Sequence, residues 1–317
     1  MKNNKKELGS LLRNFALVFI IIAIAVVMSF ASPAFMTSKN IINIIRQISI
    51  NGIIAVGMTF VILTGGIDLS VGSVVAITSV LVGSILQAGH SWVVACLVAF
   101  VAALAFGAFN GFMIAYVGFQ PFIATLATVT MGSGIALAYS DGKPYIISDP
   151  SFLKIGQGYL GPIPIPVILL VLVVIIGLII LKTTTFGRYV FAIGGNKEAA
   201  KLSGVKTKRV EIAVYIISSL CASVVGLILS ARISSGQPTA GAGYELDAIA
   251  ATAIGGTSMS GGVGSLTGTV FGFILLGLMT NSMNLLNINS FYQEIVKGIL
   301  IIIAVFLDMT SKRRNKQ

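Results

Sequence analysis

A carboxylate lies inside one of the most apolar stretches of this chain. In LTGGIDLSVGS, residues 63–73, Asp68 stands between a glycine pair and two serines, with runs of Val, Ile, Ala and Phe on both sides. A charged side chain in lipid costs several kcal/mol, so it needs a structural or functional reason. Two roles are open. Either Asp68 or Ser70 accepts the free N–H groups at a helix start, or Asp68 lines a polar pathway or gate.

A second candidate segment is polar and basic, FGRYVFAIGGNKEAAKLSGVKTKRVEI at 186–212. Asn196 suits the N-cap of a short helix over 197–202, and Gly204 suits the left-handed position just after its end. A short helix between glycines on a basic loop is typical of a docking element. The alternative is a solvated loop whose charges only set membrane topology.

Other polar residues recur near predicted helix ends. Glu245 and Asp247 precede a short apolar segment, where they favour the positive end of a helix dipole or form an outer surface for a partner. Asn281, Asn284 and Asn287 recur every three residues and would share one helix face. There they would either make interhelical hydrogen bonds or line a translocation pathway.

Two further spacings predict local contacts. Glu294 and Lys297 are three residues apart and are expected to pair on one helix. Gly268 and Gly272, four residues apart, favour close packing against another helix.

The chain lacks the residues that most enzymes and nucleotide sites need. No GxxxxGK[ST] phosphate loop occurs, His90 is the only histidine, and Cys96 and Cys221 are isolated in apolar runs. A zinc site is therefore excluded by residue count. We predict that this chain is not an enzyme and binds no metal or cofactor itself.

The composition places these residues in a membrane protein. Of 317 residues, 56% are hydrophobic and only 10% are charged, against about 25% in a typical soluble domain. The mean hydropathy is +0.98. Such a chain cannot cover a water-facing surface, so the predicted fold class is an all-α, polytopic integral membrane protein with a single domain over 1–317.

About ten transmembrane helices are predicted, one or two of them broken or short, because each apolar run approaches the length that crosses a bilayer. They are placed at 14–32, 48–65, 70–88, 92–117, 119–139, 165–182, 210–232, 246–258, 264–286 and 291–308. Residues 40–49 form either an amphipathic interfacial helix or the start of the second segment.

Basic residues cluster in three segments, which indicates topology rather than nucleic-acid binding. We predict that the N-tail 1–13, the loop 183–210 and the C-tail 309–317 are cytoplasmic, with both termini inside. The loop 140–164, rich in proline and poor in lysine, is then extracytoplasmic.

Two glycine-rich segments, each of which interrupts an apolar run, are weakly similar in sequence. GGIDLSVGS at 65–73 and GGTSMSGGVGS at 255–265 each follow one apolar run and open another. Paired glycine-interrupted segments in two halves indicate the central pathway of a transporter. The alternative is a coincidence between two glycine-rich turns.

The chain closely resembles the membrane-spanning permease of bacterial ABC sugar importers of the ribose type. The resemblance covers nearly the whole chain. It is carried by NGIIAVGMTFVILTGGIDLSVGS (51–73), FGRYVFAIGGNKEAAKLSGV (186–205), QPTAGAGYELDAIAATAIGGTSMSGG (237–262) and YQEIVKGILIIIAV (292–305).

The resemblance implies a fold, partners and a cycle. Two permease copies form a pore in the bacterial cytoplasmic membrane, as a homodimer or with a sister permease. A separate cytoplasmic ATPase hydrolyses ATP, and an extracytoplasmic sugar-binding protein delivers ligand for alternating access. The residues that match the ATPase-facing segment are Gly194, Gly195, Asn196, Glu198, Ala199, Ala200 and Gly204.

The expected cargo is a monosaccharide, ribose first, with xylose, galactose or a related furanose left open. An ion-gradient-driven secondary transporter is the alternative class, in which Asp68 would be the ion site. Asp68, Ser70, Asn281 and Asn284 are the pathway candidates.

Overall fold

This computed structural model describes the fold of residues 2–316 and the side chains of residues 16–303, 305 and 306. The tails predicted to be cytoplasmic, 1–13 and 309–317, lie outside the described side chains. Within the described part, thirteen α-helices form the fold: α1 Lys2–Ala31, α2 Ser38–Leu63, α3 Val71–Gln87, α4 Trp92–Phe112, α5 Pro121–Ser140, α6 Pro150–Gln157, α7 Ile165–Thr183, α8 Thr185–Gly195, α9 Lys197–Leu202, α10 Thr207–Ile233, α11 Tyr244–Ile254, α12 Leu266–Leu285 and α13 Ser290–Lys316.

Each predicted apolar segment coincides with one of these helices. Among the described residues, six helices are long and apolar enough to cross a membrane: Ser38–Leu63, Trp92–Val117, Pro121–Ser140, Ile165–Thr183, Thr207–Ile233 and Leu266–Leu285. Two shorter apolar helices, Ala16–Ala31 and Val71–Gln87, accompany them. The all-α, polytopic class is therefore confirmed, whereas the number of ten crossings stays a prediction.

Two helix boundaries differ from the predicted ones. Helix α2 begins at Ser38, so residues 40–49 are the start of the second segment and not a separate interfacial helix. Helix α4 continues into a single π-helical turn over Met113–Val117, which ends at Gly118 with a φ of 89°. Such turns insert one extra residue per turn and carry no hydrophobic period by which sequence could reveal them.

The loop 140–164 is more ordered than its prolines indicate. Asp149 caps α6, because its Oδ1 accepts the amides of Ser151 at 2.8 Å and Phe152 at 3.0 Å. Three two-residue strands lie in this loop, β1 Tyr145–Ile146, β2 Tyr159–Leu160 and β3 Ile163–Pro164, and a fourth, β4 Ser235–Gly236, follows α10. Strand β1 pairs antiparallel with β4, and β2 pairs antiparallel with β3.

The core is centred on two long helices, α2 and α10. Helix α10 packs on α4, α2 and α3, while α2 also packs on α12, α7 and α11. Phe60, Ile53 and Met58 of α2 are among the largest fully buried side chains. In helices α4, α5 and α7 only 22–28% of the membrane-length window is buried inside the protein. Their exposed faces fit contact with lipid or with another protein chain, since water would not solvate them.

Glycines bring α11 and α12 into direct backbone contact. A Cβ on Gly272 would collide with the Ala251 carbonyl oxygen, and one on Gly268 would collide with the Gly255 carbonyl oxygen. The close packing predicted from the Gly268–Gly272 spacing is confirmed, and α11 is its partner.

Adding one methyl group tests this contact. Gly272→Ala should lower the free energy of unfolding by about 1–3 kcal/mol, because the new Cβ must separate α11 from α12. The matched control is Gly134→Ala on α5, where a Cβ meets no atom within 4 Å. That substitution should leave stability unchanged or raise it by up to about 1 kcal/mol. Thermal unfolding in detergent measures both, and equal melting temperatures for the two variants would contradict the packing.

Candidate functional site

The first glycine-rich break ends helix α2. Gly65 has a φ of 82°, a left-handed conformation that glycine adopts without a Cβ penalty. The Gly65 amide donates to the Ile62 carbonyl at 2.9 Å, and the Gly66 amide donates to the Val61 carbonyl at 3.1 Å. This pair of bonds closes the last turn in the Schellman pattern, so the chain reverses direction before α3.

The second break ends helix α11 in the same way. Gly256 has a φ of 91°, its amide donates to Ala253 at 2.9 Å, and the Thr257 amide donates to Thr252 at 3.1 Å. The weak similarity between the two glycine-rich segments therefore corresponds to one repeated local structure. The structural equivalence pairs Gly65 with Gly256, one residue away from the alignment that the two glycine pairs indicate.

The two breaks meet each other and the basic loop. The Gly262 amide donates to the Leu63 carbonyl oxygen at 2.9 Å. A Cβ on Gly194, at the end of α8, would collide with that same oxygen and with the Gly262 nitrogen. One on Gly261 would lie 2.6 Å from the Gly65 nitrogen and 2.9 Å from the Gly194 Cα. We call these five residues, Leu63, Gly65, Gly194, Gly261 and Gly262, the glycine junction.

The predicted short helix on the basic loop is confirmed as α9. The Asn196 Oδ1 caps it by accepting the Ala199 amide at 3.0 Å, and Gly204 follows it with a φ of 84°. Ala200 is buried, since it packs toward the bundle. Gly195, Asn196, Glu198, Ala199 and Gly204 are exposed. The matched segment therefore has an inner side at Gly194 and Ala200, and an outer side that is open to a partner.

Sequence reasoning missed the ion pair that fastens α9 to α10. Lys197 Nζ lies 2.6 Å from Glu211 Oε1, and the Glu211 side chain is only 9% exposed. A largely buried carboxylate requires a paired cation, so this contact holds the short helix in one position. The two residues are separated by a turn and belong to different helices, so no helical spacing linked them.

Asp68 is fully buried and belongs to a hydrogen-bond network. Its Oδ1 accepts the Ser70 amide at 3.0 Å and the Ser70 hydroxyl at 2.6 Å. Asn110 of α4, which the sequence did not single out, donates its amide to Ser70 Oγ at 2.8 Å. Asp68 thus accepts the amide of Ser70, the residue that precedes α3. Neither predicted cap bonds to an amide within α3, because Asp68 bonds only to Ser70 and the Ser70 hydroxyl caps no amide of the helix.

The asparagine face of α12 forms hydrogen bonds between elements. Asn281 and Asn40 of α2 exchange amide hydrogen bonds at 2.8 Å and 3.2 Å. Asn284 Oδ1 accepts from Gln293 Nε2 of α13 at 2.8 Å. The hydrogen-bonding alternative accounts for both side chains, and a pathway role for either residue stays a prediction.

The two acids of α11 point into the protein. Asp247 Oδ1 lies 3.1 Å from Lys297 Nζ of α13, and Lys297 also reaches Glu294 at 3.3 Å, which confirms the predicted Glu294–Lys297 pair. Glu245 packs close to Gly72 of α3. A Cβ added to Gly72 would lie 2.5 Å from the Glu245 Oε2. Both acids occupy the first turn of α11, where the helix dipole favours negative charge. Their role toward a partner stays a prediction.

The bundle is apolar and has several membrane-length helices. Two helices stop at matched glycine breaks, and a capped loop helix contacts both breaks. These features together define a membrane permease. The chain belongs to the family described as the permease component of branched-chain amino acid transport systems, which matches residues 40–305. It is the membrane-spanning permease of an ABC importer, a transport subunit and not an enzyme, and it is a multi-pass protein of the inner membrane.

Named relatives in this family carry sugars. The chain is 46% identical to the ribose import permease protein RbsC of Bacillus subtilis, over 96% of this chain and 92% of the relative. It is 38% identical to the L-arabinose transport system permease protein AraH of Escherichia coli, over 95% and 90%. It is 33% identical to the xylose transport system permease protein XylH of Haemophilus influenzae, over 95% and 98%. No solved structure matches the chain.

Neighbouring glycines give a matched test of the junction. Gly194→Ala should break the bond between the Gly262 amide and the Leu63 carbonyl, because the added Cβ occupies its space. We expect hydrogen exchange in 255–265 to accelerate about tenfold, equivalent to ~1.4 kcal/mol. In Gly195→Ala the Cβ meets nothing within 4 Å, so exchange should stay at the wild-type rate. Mass spectrometry of deuterated peptides measures both rates, and equal rates in the two variants would contradict the junction.

Proposed function

We propose that this chain translocates a monosaccharide, ribose foremost, into the cytoplasm by alternating access, driven by ATP that a separate ATPase subunit hydrolyses. Support for the substrate comes from the relatives whose names specify ribose import, at 42–46% identity over most of the chain. Support for coupling to a separate ATPase comes from the glycine junction. It gives the basic loop a rigid contact with both helix breaks, and no phosphate loop occurs in the chain.

The proposed topology places both termini and the loop 183–210 in the cytoplasm, following the distribution of basic residues. The exposed side of α9 then faces the ATPase, with Gly195, Asn196, Glu198, Ala199 and Gly204 as its contact residues. Movement of the ATPase reaches the bundle through Gly194 and Ala200 on the inner side. In this arrangement the chain itself binds no ATP and no metal.

The opposite end of the bundle is proposed to receive the sugar-binding protein. There the loop 140–164 lies outside, and the segment that enters α11 brings Glu245 and Asp247 into the bundle. The exposed residues of that segment, Thr239, Ala242 and Leu246, are available for contact. Glu245 and Asp247 support this surface by fixing the start of α11, through the contacts with Gly72 and Lys297.

A second permease copy is proposed to complete the pore. Helices α4, α5 and α7 are buried over only 22–28% of their membrane-length windows, which leaves room for a partner chain as well as lipid. Asp68 and Ser70 are proposed to hold the first break in shape beside the pathway, with Asn281 and Asn284 holding the helices around it. The whole chain works as one transmembrane domain.

Uptake into vesicles tests the transported sugar and the energy source together. Proteoliposomes that contain the permease, the ATPase and the binding protein should accumulate labelled ribose when Mg-ATP is on the ATPase side. Omitting the ATPase should abolish uptake, and an ionophore should leave it unchanged. Labelled arabinose and xylose serve as competing cargoes. Uptake that persists without the ATPase and collapses with the ion gradient would establish the secondary-transporter alternative instead.

A charge swap tests the coupling role of the Lys197–Glu211 pair. Lys197→Glu places a second carboxylate beside the largely buried Glu211, so α9 should leave its position and sugar carried per ATP hydrolysed should fall about tenfold. The double variant Lys197→Glu with Glu211→Lys restores opposite charges and should recover most of the ratio. The control is Lys201→Glu, which changes an exposed residue of the same helix. If Lys197→Glu matches that control, the ion pair plays no part in coupling.

A further inference from the structure

A polar cavity of about 300 Å³ lies at the end of the bundle away from the basic loop. Its walls come from α2, α10, α11, α12 and α13, and it shares no residue with the glycine junction. The polar residues on which its chemistry depends are Gln47, Asn51, Arg232, Tyr244, Asp247 and Lys297. The cavity is therefore separate from the contacts that link the basic loop to the helix breaks.

The guanidinium group of Arg232 has no counter-ion in the cavity. Arg232 lies in the last turn of α10, is half-buried, and forms no ion pair with any residue that the structure describes. A guanidinium group carries five N–H donors and keeps its positive charge. Because a charge removed from water is costly without a partner, this side chain requires an anion.

A second arginine adds to the unbalanced positive charge. Arg46 of α2 lies close enough to Arg232 for the two guanidinium groups to repel each other. One Arg46 nitrogen donates to the Gln157 carbonyl oxygen at 3.1 Å, and the guanidinium carbon lies 4.8 Å from the centre of the Tyr159 ring. Neither contact supplies a negative charge, and the Arg46 Nε is buried without a hydrogen-bond partner. An anion beside the two arginines would offset their repulsion.

The carboxylate in the cavity wall does not neutralise Arg232. Asp247 Oδ1 lies 3.1 Å from Lys297 Nζ, while its Oδ2 lies 3.3 Å from that nitrogen and 3.5 Å from Asn51 Nδ2. Glu294, which also contacts Lys297, is 68% exposed and lies outside the wall. The wall therefore carries a net positive charge that comes from Arg232. This charge repels a cation, and a neutral ligand would leave it unbalanced.

The free donors around the cavity suit a ligand with several oxygens. An ammonium group has three donors, and two carboxylates take up two of those on Lys297. The Tyr244 hydroxyl and the Gln47 amide add neutral donors. A guanidinium group binds phosphate through two parallel N–H···O bonds. A phosphate group has enough oxygens to accept from Arg232 and from these neighbours together.

We propose that this cavity binds a phosphate group, with Arg232 as the main cation and Arg46 as the second. The group belongs either to inorganic phosphate or to the headgroup of an anionic phospholipid. A headgroup can reach the cavity because Arg232 lies in the last turn of a membrane-length helix, at the level of the bilayer interface. The bound group joins the end of α10 to α11 and α13, and so stabilises this end of the bundle.

Binding of radiolabelled inorganic phosphate to the purified permease, in nanodiscs of neutral lipid, tests the free anion. The wild type should bind phosphate saturably while chloride keeps the ionic strength constant. Arg232→Gln should weaken binding at least about tenfold, because it removes the unpaired charge, and Arg46→Gln should weaken it less. The matched control is Lys154→Gln, which removes an exposed cation from α6, a helix that packs on α10. Its phosphate binding should equal that of the wild type.

Native mass spectrometry tests the lipid headgroup. Permease prepared in phosphatidylglycerol and transferred to neutral detergent should retain that lipid if the headgroup is the ligand, and Arg232→Gln should lose it. Retained lipid identifies the headgroup as the ligand, and phosphate binding without retained lipid identifies the free anion. Gel filtration and melting temperature establish that each variant is folded. If Arg232→Gln does not fold, Arg232→Lys replaces it, and should weaken binding by losing the two-bond contact while it keeps the charge.

Two results would overturn the site. The first is that the wild type binds neither ligand, or that the Arg232 variants bind as the wild type does. The second is that neither ligand binds while Arg232→Gln weakens binding of the sugar-binding protein about tenfold. The counter-ion would then be an acidic side chain of that docked protein. Neither result bears on ATP-driven uptake, which is measured separately.

Discussion

The hydrogen bond from the Gly262 amide to the Leu63 carbonyl joins two helices that both stop inside the bundle. Because α2 and α11 end at this point, the chain needs left-handed glycines to turn and small residues to let the segments touch. The end of α8 completes the contact through Gly194. The basic loop, the first break and the second break are therefore held at fixed relative positions by backbone atoms, and the surrounding helices pack around that arrangement.

The buried polar groups keep the same region in shape. Asp68 is held by two bonds to Ser70, and Asn110 extends the network to α4. At the other end of the bundle, the Asn281–Asn40 pair and the Asp247–Lys297 pair tie α12 to α2 and α11 to α13. Each pair satisfies groups that would otherwise be costly in an apolar interior. Polar residues in this chain thus fix the relative positions of helices, which is a condition for moving them as units.

The helices and the capped loop helix could be predicted from sequence, but the junction could not. Long apolar runs identify the helices because lipid demands them, and Asn196 with Gly204 marks α9 through local capping rules. By contrast, Leu63, Gly194 and Gly262 are far apart in the chain and meet through backbone atoms. No side-chain pattern therefore predicts the contact. The same holds for Lys197 with Glu211. The π-helical turn at 113–117 leaves no period to detect.

The absence of side chains at the junction has a consequence for how such a transporter can diversify. A contact made by backbone atoms cannot be tuned by substitution, because any residue larger than glycine at Gly194 forces the segments apart. The outer side of α9 is different, because Glu198 and Lys201 present exposed side chains that substitution can exchange one at a time. Substitutions on that outer side can therefore accumulate while the backbone contact beneath it stays the same.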